Sequence, residues 1–575
     1  MQRFPRFNRP RIRGNASSAL LGYVDGDGST LSFDFTTGVL DPSLTFTRST
    51  NATFINSQGL VQYAAANEFL NTLWITSTTP TGWNIGFGTG TTTWNNNGTV
   101  TMDTGPSSTR PMINASSMTV AVGIPHTFGY RVVSVSGSPT VGNVIHSTVA
   151  GETYAINGVT QPSSTVVVAG DIVSCTFTPT ASPVPPRMGP GVQGGMTNTA
   201  MTITQPQMNR GTTLQPYLQN SSTSVGNFNT PRFDYDFTAQ TPRGLLIEGS
   251  ATNLATQSNG STSVWTVGNF RTPTNNTTDI VSPDGTNNAT KLVCGAATNY
   301  ASFATSITGL TGGNTYTVSY WIRGPVGHTP RLYALNGTIG DITATSTTGT
   351  YNNTGWTRLT QTYTLPATTT QVYVYFISVG IVTTGDTFYV YGFQLESGSG
   401  ASSYIPTGAS TGFRAQDVVT MSNISSLGFD KYQGAFVIRG FQYKEGTVGA
   451  YSRTLRFNGS TEPMGMPVDG VTFFGTSRNV GDNIIGENTR TNTLVQNYAF
   501  GFSLNANSTT AAMVVSLNGS SVVSSRSNTG PTSDATSLEF NSNSSDTAYA
   551  SMAIKSVKFW PIAKSSAEMN ALTTG

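Results

Sequence analysis

The sequence predicts an all-β protein made of tandem β-sandwiches, with an extended N-terminal arm and a small connecting β element. Three observations carry this expectation. Charged residues make up only 10% of the 575 residues, against ~25% in ordinary soluble proteins, and Thr, Ser, Asn and Gly take their place. Hydrophobic residues at 37% and aromatics at 10% are enough to build cores, which argues against a disordered chain. Aromatic and β-branched residues recur in short alternating runs between Gly, Asn and Pro turns, the period of strands rather than helices. The length exceeds what one core spans, so three or four domains of ~100–200 residues are expected.

Residues 1–30 read as a basic arm. Arg3, Arg6, Arg9, Arg11 and Arg13 fall within 14 residues that hold no acid, so the formal net charge of +2 conceals a body with 24 basic and 27 acidic residues. Pro5 and Pro10 forbid a continuous helix and favour polyproline-II backbone, which puts Arg3, Arg6 and Arg9 on one edge and Phe4 and Phe7 on another. Such an arm suits an acidic, apolar-lined groove on a neighbouring protein; a disordered tail is the alternative. The near-neutral body offers no footprint for nucleic acid. No apolar run approaches the ~18 residues of a membrane span, and the N-terminus has no apolar core of a secretory signal. Asp25 to Thr30 (DGDGST) reads as a glycine turn, because Thr36 stands where a calcium loop would need its bidentate Glu. LSFDF at 31–35 then alternates as a strand.

Residues 31–64 and 223–250 are expected to form the connecting element. In the first part, Leu44 and Phe46 share a face and Leu60 to Tyr63 returns after a turn at Asn56 to Gly59. So short a hairpin needs a partner. The natural candidate is the stretch Phe233 to Glu248, in which Phe233, Tyr235 and Phe237 alternate before a Thr-Pro-Arg-Gly turn and an apolar Leu245 to Ile247.

Between and after these pieces lies an internal repeat. Thr127-Phe-Gly-Tyr130 and Thr317-Val-Ser-Tyr320 are 190 residues apart, and Gln207-Met208 and Gln394-Leu395 are 187 apart, each Gln ten residues before a Tyr. Phe69-Leu70 leads to Trp83 as Asn253-Leu254 leads to Trp265. Residues 65–222 and 251–407 are therefore expected to be duplicated modules. In the second, Thr315 to Ile322, Trp356 to Leu365, Gln371 to Ile377 and Thr387 to Leu395 read as strands of a sandwich. Residues 408–575 form a third unit, closed by the strand Met552 to Trp560 and a short helix capped at Ser565 or Ser566.

The second module, with Thr252-Asn253-Leu254, Trp265, Tyr320, Gly355-Trp356, Tyr391 to Glu396 and Ser403 to Thr407, resembles the carbohydrate-binding-module jelly rolls of bacteriophage proteins. The first copy lacks the Gly-Trp element and the closing Glu. The closing strand and helix of the third unit resemble the end of laminin-G or concanavalin-like domains. Together the cassette resembles virion fibre or spike proteins, of tail or head. The resemblance implies a particle-surface location and a homotrimer. It also implies an arm (Arg3, Phe4, Arg6, Phe7, Arg9, Arg11, Arg13) that anchors to capsid, portal or tail proteins, and modules that bind host-surface polysaccharide. A capsid-decorating head fibre or cement protein without essential glycan binding is the alternative.

Catalytic chemistry finds little purchase. His126, His146 and His328 have no Cys or acid partner by spacing and are expected in loops or on the surface, so neither a metal site nor a triad is assigned, and no cofactor is implied. Cys175 and Cys294 are expected as buried thiols, with a single disulfide across the modules as the alternative. Glu396 is expected to bind a backbone amide or an Arg rather than to serve a glycosidase. Sugars present C–H faces to aromatic rings and hydroxyls to amides and hydroxyls. Trp265, Tyr300 and Tyr351 in the second module, and Phe474 and Trp560 in the third unit, are the candidate sugar contacts; each also fits a core position, since sandwiches bury their aromatics.

Overall fold

The computed structural model describes residues 26–574 apart from 87–89, 107–110, 117, 142–148, 192–195, 261–263, 269–272, 326–330, 336–338, 343, 345, 349–352, 445–451, 460–463, 470–471, 477–483, 490–495, 507–509, 528–533 and 541–550. The described chain is nearly all β, and its sheets form sandwiches around three principal cores.

The C-terminal sandwich draws strands from three separated parts of the sequence. One sheet runs Arg232–Tyr235, Pro242–Ile247, Ser551–Trp560, Gln433–Lys444, Gln496–Ala506, Thr510–Leu517 and Ser520–Ser527, and Leu31–Asp34 also pairs with Ser551–Trp560. The strand Ser551–Trp560 shares one edge between two partners: Leu245 to Ile247 lies along Met552 to Ile554, and Leu31 to Asp34 along Ser556 to Phe559. The facing sheet begins with Thr45–Thr47 beside Val418–Met421 and Ala535–Phe540. Phe33, Phe46, Leu245, Ile247, Phe436, Phe500 and Phe559 all lie in one buried cluster, so this core is incomplete without the N-terminal and middle segments. Gly244 permits the middle hairpin to dock: its φ is +103°, and a Cβ there would lie 2.0 Å from the carbonyl oxygen of Ile554.

This pairing departs from the expected connecting element. Residues 44–63 and 231–248 do meet, through Ile55 N to Asp234 Oδ1 (2.8 Å) and Arg232 to Thr53 O (2.7 Å), but not as one sheet. Phe46, Leu245 and Ile247 are instead absorbed by the larger apolar core, where each buries more surface than a two-stranded ribbon offers. What remains as a small connecting element is the hairpin Thr53–Ile55 with Val61–Tyr63.

The first module has a seven-stranded sheet centred on Ile172–Pro179, His126–Ser136 and Ala200–Arg210, backed by three short strands. In the second, two five-stranded sheets face each other, one centred on Gln371–Val382, the other on Thr315–Arg323. The two segments share a hydrogen-bond pattern. Asn67 Nδ2 donates to Pro206 O and Leu218 O, and Asn253 Nδ2 to Phe393 O and Ile405 O. Asn67 Oδ1 accepts from the amides of Phe69 and Met208, and Asn253 Oδ1 from those of Ala255 and Leu395. Gln207 and Gln394 accept from the amides of Leu218 and Ile405. Each Asn thus ties the module's entry strand to its exit, satisfying buried backbone groups.

The helix Ser566–Thr573 carries a full capping box between Ser565 and Glu568. Asp27 closes the glycine turn by accepting from Ser29 N at 3.0 Å and pairing with Lys558 at 2.6 Å. Cys175 and Cys294 are both buried thiols. His126 lies outside its expected loop setting: it is fully buried at the start of a strand, with Nε2 3.8 Å from Glu68, and burial depresses its pKa.

Candidate functional site

Two of the five aromatics singled out as sugar contacts turn inward. Trp265 is 2% exposed, its ring 4.1 Å from Phe393 and 5.0 Å from Phe303, and its Nε1 donates to Gln257 O. Trp560 is 1% exposed among Ala435, Val437 and Met569, with Nε1 donating to Asp27 O. Both rings spend their faces on packing, so neither offers one to a sugar. Tyr300 and Phe474 sit in the strands Thr298–Thr308 and Thr472–Thr476, and their side chains lie outside the described residues, as does all of Tyr351. The arm residues Arg3, Phe4, Arg6, Phe7, Arg9, Arg11 and Arg13 also fall outside them.

Among the described residues, two clefts open beside one strap, residues 212–216, which lines both. The strap follows the strand Ala200–Arg210 and is held by Asn209, whose Nδ2 donates to Thr213 O while its Oδ1 accepts from Gln215 N, both at 2.9 Å. Gln215 in turn accepts from Ala66 N and donates to Tyr63 O. One cleft, of about 530 Å³, lies on the seven-stranded sheet of the first module near Arg131, Tyr154, Asn157, Gln205 and Tyr217.

The other cleft, of about 430 Å³, lies between the connecting hairpin, the strap and the second module. That volume is in the range of small-molecule sites. Its polar wall is built on the turn Asp284-Gly285-Thr286. Asp284 Oδ1 accepts from Thr286 N (3.1 Å) and Oγ1 (2.9 Å), and Oδ2 accepts from Asn288 Nδ2 (2.8 Å). The Tyr391 ring lines the same cleft. Tyr404 shares a 2.6 Å bond with Ser258, and Arg210 Nε, which makes no hydrogen bond among the described residues, lies 3.6 Å from Glu68. Burial pushes the Tyr63, Tyr391 and Tyr404 phenols up, so they stay neutral hydroxyls at physiological pH. The buried amide oxygens of Asn259 and Asn288 both line this cleft and have no hydrogen-bond partner. Asp284 is the one carboxylate among the described lining residues, whereas glycosidic hydrolysis by the usual route needs a pair.

Behind the cleft, a buried ion cluster fixes the modules to the C-terminal sandwich. Arg232 pairs with Glu248 at 2.7 Å and with Asp417; Arg48 pairs with Asp417, and Arg414 with Glu248, each at 3.1 Å. Their side chains are at most 1% exposed. These residues mark the four places where the chain passes between sandwich and module: out after Thr47, back at Arg232, out after Ile247, back at 414–418. Burial opposes ionisation of Glu248, but Arg414, Arg232 and two bonds from Ser403 outweigh it and hold the carboxyl at about 2. Asp234 behaves oppositely: burial raises it to about 6 despite bonds from Tyr443 and Ile55. Glu396 accepts from Ser402 N, the backbone-amide partner expected as one of its two alternatives, and also pairs with Lys444 at 2.7 Å.

None of Tyr63, Arg210, Asp284 and Asn288 stands out in the sequence as a site residue, because they converge from three distant segments. The only local signal is Asp-Gly-Thr, an Asx turn that orients a carboxylate.

The carbohydrate binding domain family matches residues 255–380, within the second module. Among characterised proteins, no sequence match is found. Three solved structures show slight likeness. The CBM22-1 xylan-binding domain of Paenibacillus barcinonensis Xyn10C is 13% identical over 26% of this chain and 92% of its own, with a TM-score of 0.19. The CBM22-1-CBM22-2 tandem of the same protein is 11% identical over 58% and 98%, with a TM-score of 0.19. The tripod (BppUct-A-L) of the bacteriophage Tuc2009 baseplate is 16% identical over 49% and 98%, with a TM-score of 0.16. At these scores the likenesses carry no functional weight. The second module is therefore similar to carbohydrate-binding domains by sequence, and a sandwich by fold.

Proposed function

We propose that this chain is a non-enzymatic structural protein of a bacteriophage particle, a tail fibre or spike that attaches through its N-terminal arm and binds host-surface glycans through its sandwich modules. The observation that carries the glycan part is the family match over 255–380. The module it covers also forms one wall of a cleft rich in hydroxyl and amide groups. The virion part rests on the resemblance of the modular cassette and on the five arginines of the first 14 residues. A homotrimer would add multivalency, turning weak sugar contacts into firm attachment.

The glycan reading is tested by presenting the full chain to an array of bacterial surface polysaccharides. Retention on at least one supports it, and uniform absence of binding refutes it. The anchor is tested by deleting residues 1–14: a folded oligomer that no longer joins particles is expected, and incorporation at normal levels would refute it. The burial of Trp265 and Trp560 favours a second reading, a capsid-decorating head fibre or cement protein in which the sandwiches serve only as scaffolding. Fold alone supports both roles.

A further inference from the structure

We infer that the cleft between the connecting hairpin, the strap 212–216 and the second module is the glycan site, and that it selects neutral, hydroxyl-rich saccharides over acidic ones. This rests on the glycan-binding reading above and deepens it.

The chemistry of the wall decides the ligand class. Asp284 can only accept hydrogen bonds, so the amide of Asn288 must turn its NH₂ toward Asp284 Oδ2, at 2.8 Å. Its carbonyl oxygen is thereby forced to face elsewhere. That oxygen is buried and has no partner, as is the amide oxygen of Asn259 across the same cleft. A buried acceptor left unsatisfied is costly, so each is a standing demand for an O–H or N–H donor from outside the protein. Sugar hydroxyls supply such donors, and they accept in turn from neutral phenols such as those of Tyr63, Tyr391 and Tyr404.

Charge sets the discrimination. Arg210, the cation of the lining, has its charge balanced by Glu68, 3.6 Å away. Asp284, which lines the cleft, is held by the neutral donors Thr286 and Asn288, so no cation among the described residues offsets its negative charge there. A uronate, sialate or phosphate would bring a second negative charge toward that carboxylate and toward two acceptor oxygens. Like charges and unmatched acceptors in a partly desolvated site reject such ligands.

The site joins parts that are far apart in the chain. Gly123 and Ile124 of the first module line it, as do Asn56 and Gln62 of the hairpin and Asn259 of the second module. It therefore exists only when the two modules and the hairpin are docked, unlike a site on the surface of one sandwich.

The test uses the full chain and its variants Asn288→Ala and Gln62→Trp, with thermal melting as the folding check. Gln62 is exposed, and its one described side-chain bond is with the half-buried Asn56, so a Trp there narrows the cleft without touching a core. Binding is measured on immobilised neutral hexose polymers, polyuronates and sialylated glycans. Retention on a neutral polymer is expected, with roughly tenfold weaker binding for Asn288→Ala, as for a lost hydrogen bond in a buried site, near-complete loss for Gln62→Trp, and no retention on the acidic glycans. If folded variants bind a neutral polymer as the wild type does, the cleft assignment is overturned while the glycan reading stands. Preference for the acidic glycans overturns the charge argument. If the wild type binds none of the three classes, both the assignment and the reading beneath it fall.

Discussion

Replacing Glu248 with Gln probes the buried ion cluster by charge alone. The amide keeps nearly the shape of the carboxylate and can still accept from Ser403 N, which now bonds Oε1 at 2.8 Å. What changes is the balance. Arg48, Arg232 and Arg414 face two carboxylates in the wild type and would face only Asp417 in the variant. The carboxyl of Glu248 is held at about 2 against an ordinary 4.5, which corresponds to about 3 kcal/mol of preferential stabilisation of the charged form. Stranding a buried cation typically costs about 3–5 kcal/mol. For a body of this size that lowers the melting transition by roughly 6–20 °C, followed by calorimetry at pH 7. The pH dependence supplies an internal control. Because the folded-state value is depressed, this stabilisation is complete above about 4.5 and is lost as pH falls toward about 2. The gap between the wild type and the variant should therefore close over that window. Arg48→Met should be milder, since it leaves two guanidiniums opposite two carboxylates. A Glu248→Gln transition within ~2 °C of wild type, or a gap that persists at pH 2, would show that the cluster does not hold the modules as argued.

Asp234 should act with the opposite sign. Its value is raised from 3.8 to about 6, so its contribution is full below about 3.8 and is lost as pH rises through 6; Asp234→Asn should gain stability relative to wild type between pH 4 and 6, and a flat difference in melting temperature would contradict this. Gly408→Ala would place a Cβ 1.7 Å from Val122 O, where the two modules touch, so a loss of about 1–3 kcal/mol is expected, together with faster proteolysis between the modules. Ser565→Ala removes the capping box and should cost about 1 kcal/mol, read as faster hydrogen exchange confined to the C-terminal helix and the strands beneath it.

The architecture was legible where a signal repeats locally. Alternation located the strands Thr315–Arg323 and Thr387–Ser397 to within a few residues, and the Ser-x-x-Glu pattern located the capped helix. Gln207 and Gln394 hold matching bonds 187 residues apart, as their spacing suggested, whereas the counterpart of Asn253 is Asn67 rather than the Phe69 set against it from the sequence, because Asn67 is followed by Glu68 and not by a Leu. Strand exchange into the C-terminal sandwich was not legible. An alternating strand such as Leu31–Asp34 shows that it needs a partner but not that the partner is Ser551–Trp560, more than 500 residues on. The cleft escaped for the same reason, since Tyr63, Arg210, Asp284 and Tyr404 become neighbours only after three bodies dock. Trp265 and Trp560 misled because the ring that suits a sugar face suits a core equally well.

The way the chain crosses between bodies also determines how it bears a pull. Tension applied ahead of Leu31 enters the C-terminal sandwich at once, through a strand paired along Ser551–Trp560 and a turn tied to Lys558 and Trp560. It does not run along the backbone of either inserted module. Each module is instead held by two chain segments side by side, Asn67 bridged to Asn227 and Ala251–Asn253 paired with Gly412–Arg414. A double tether resists twisting as well as stretching, so a ligand dragging on the cleft would meet a stiff mount, and the sandwich rather than the modules would be the element that carries the load.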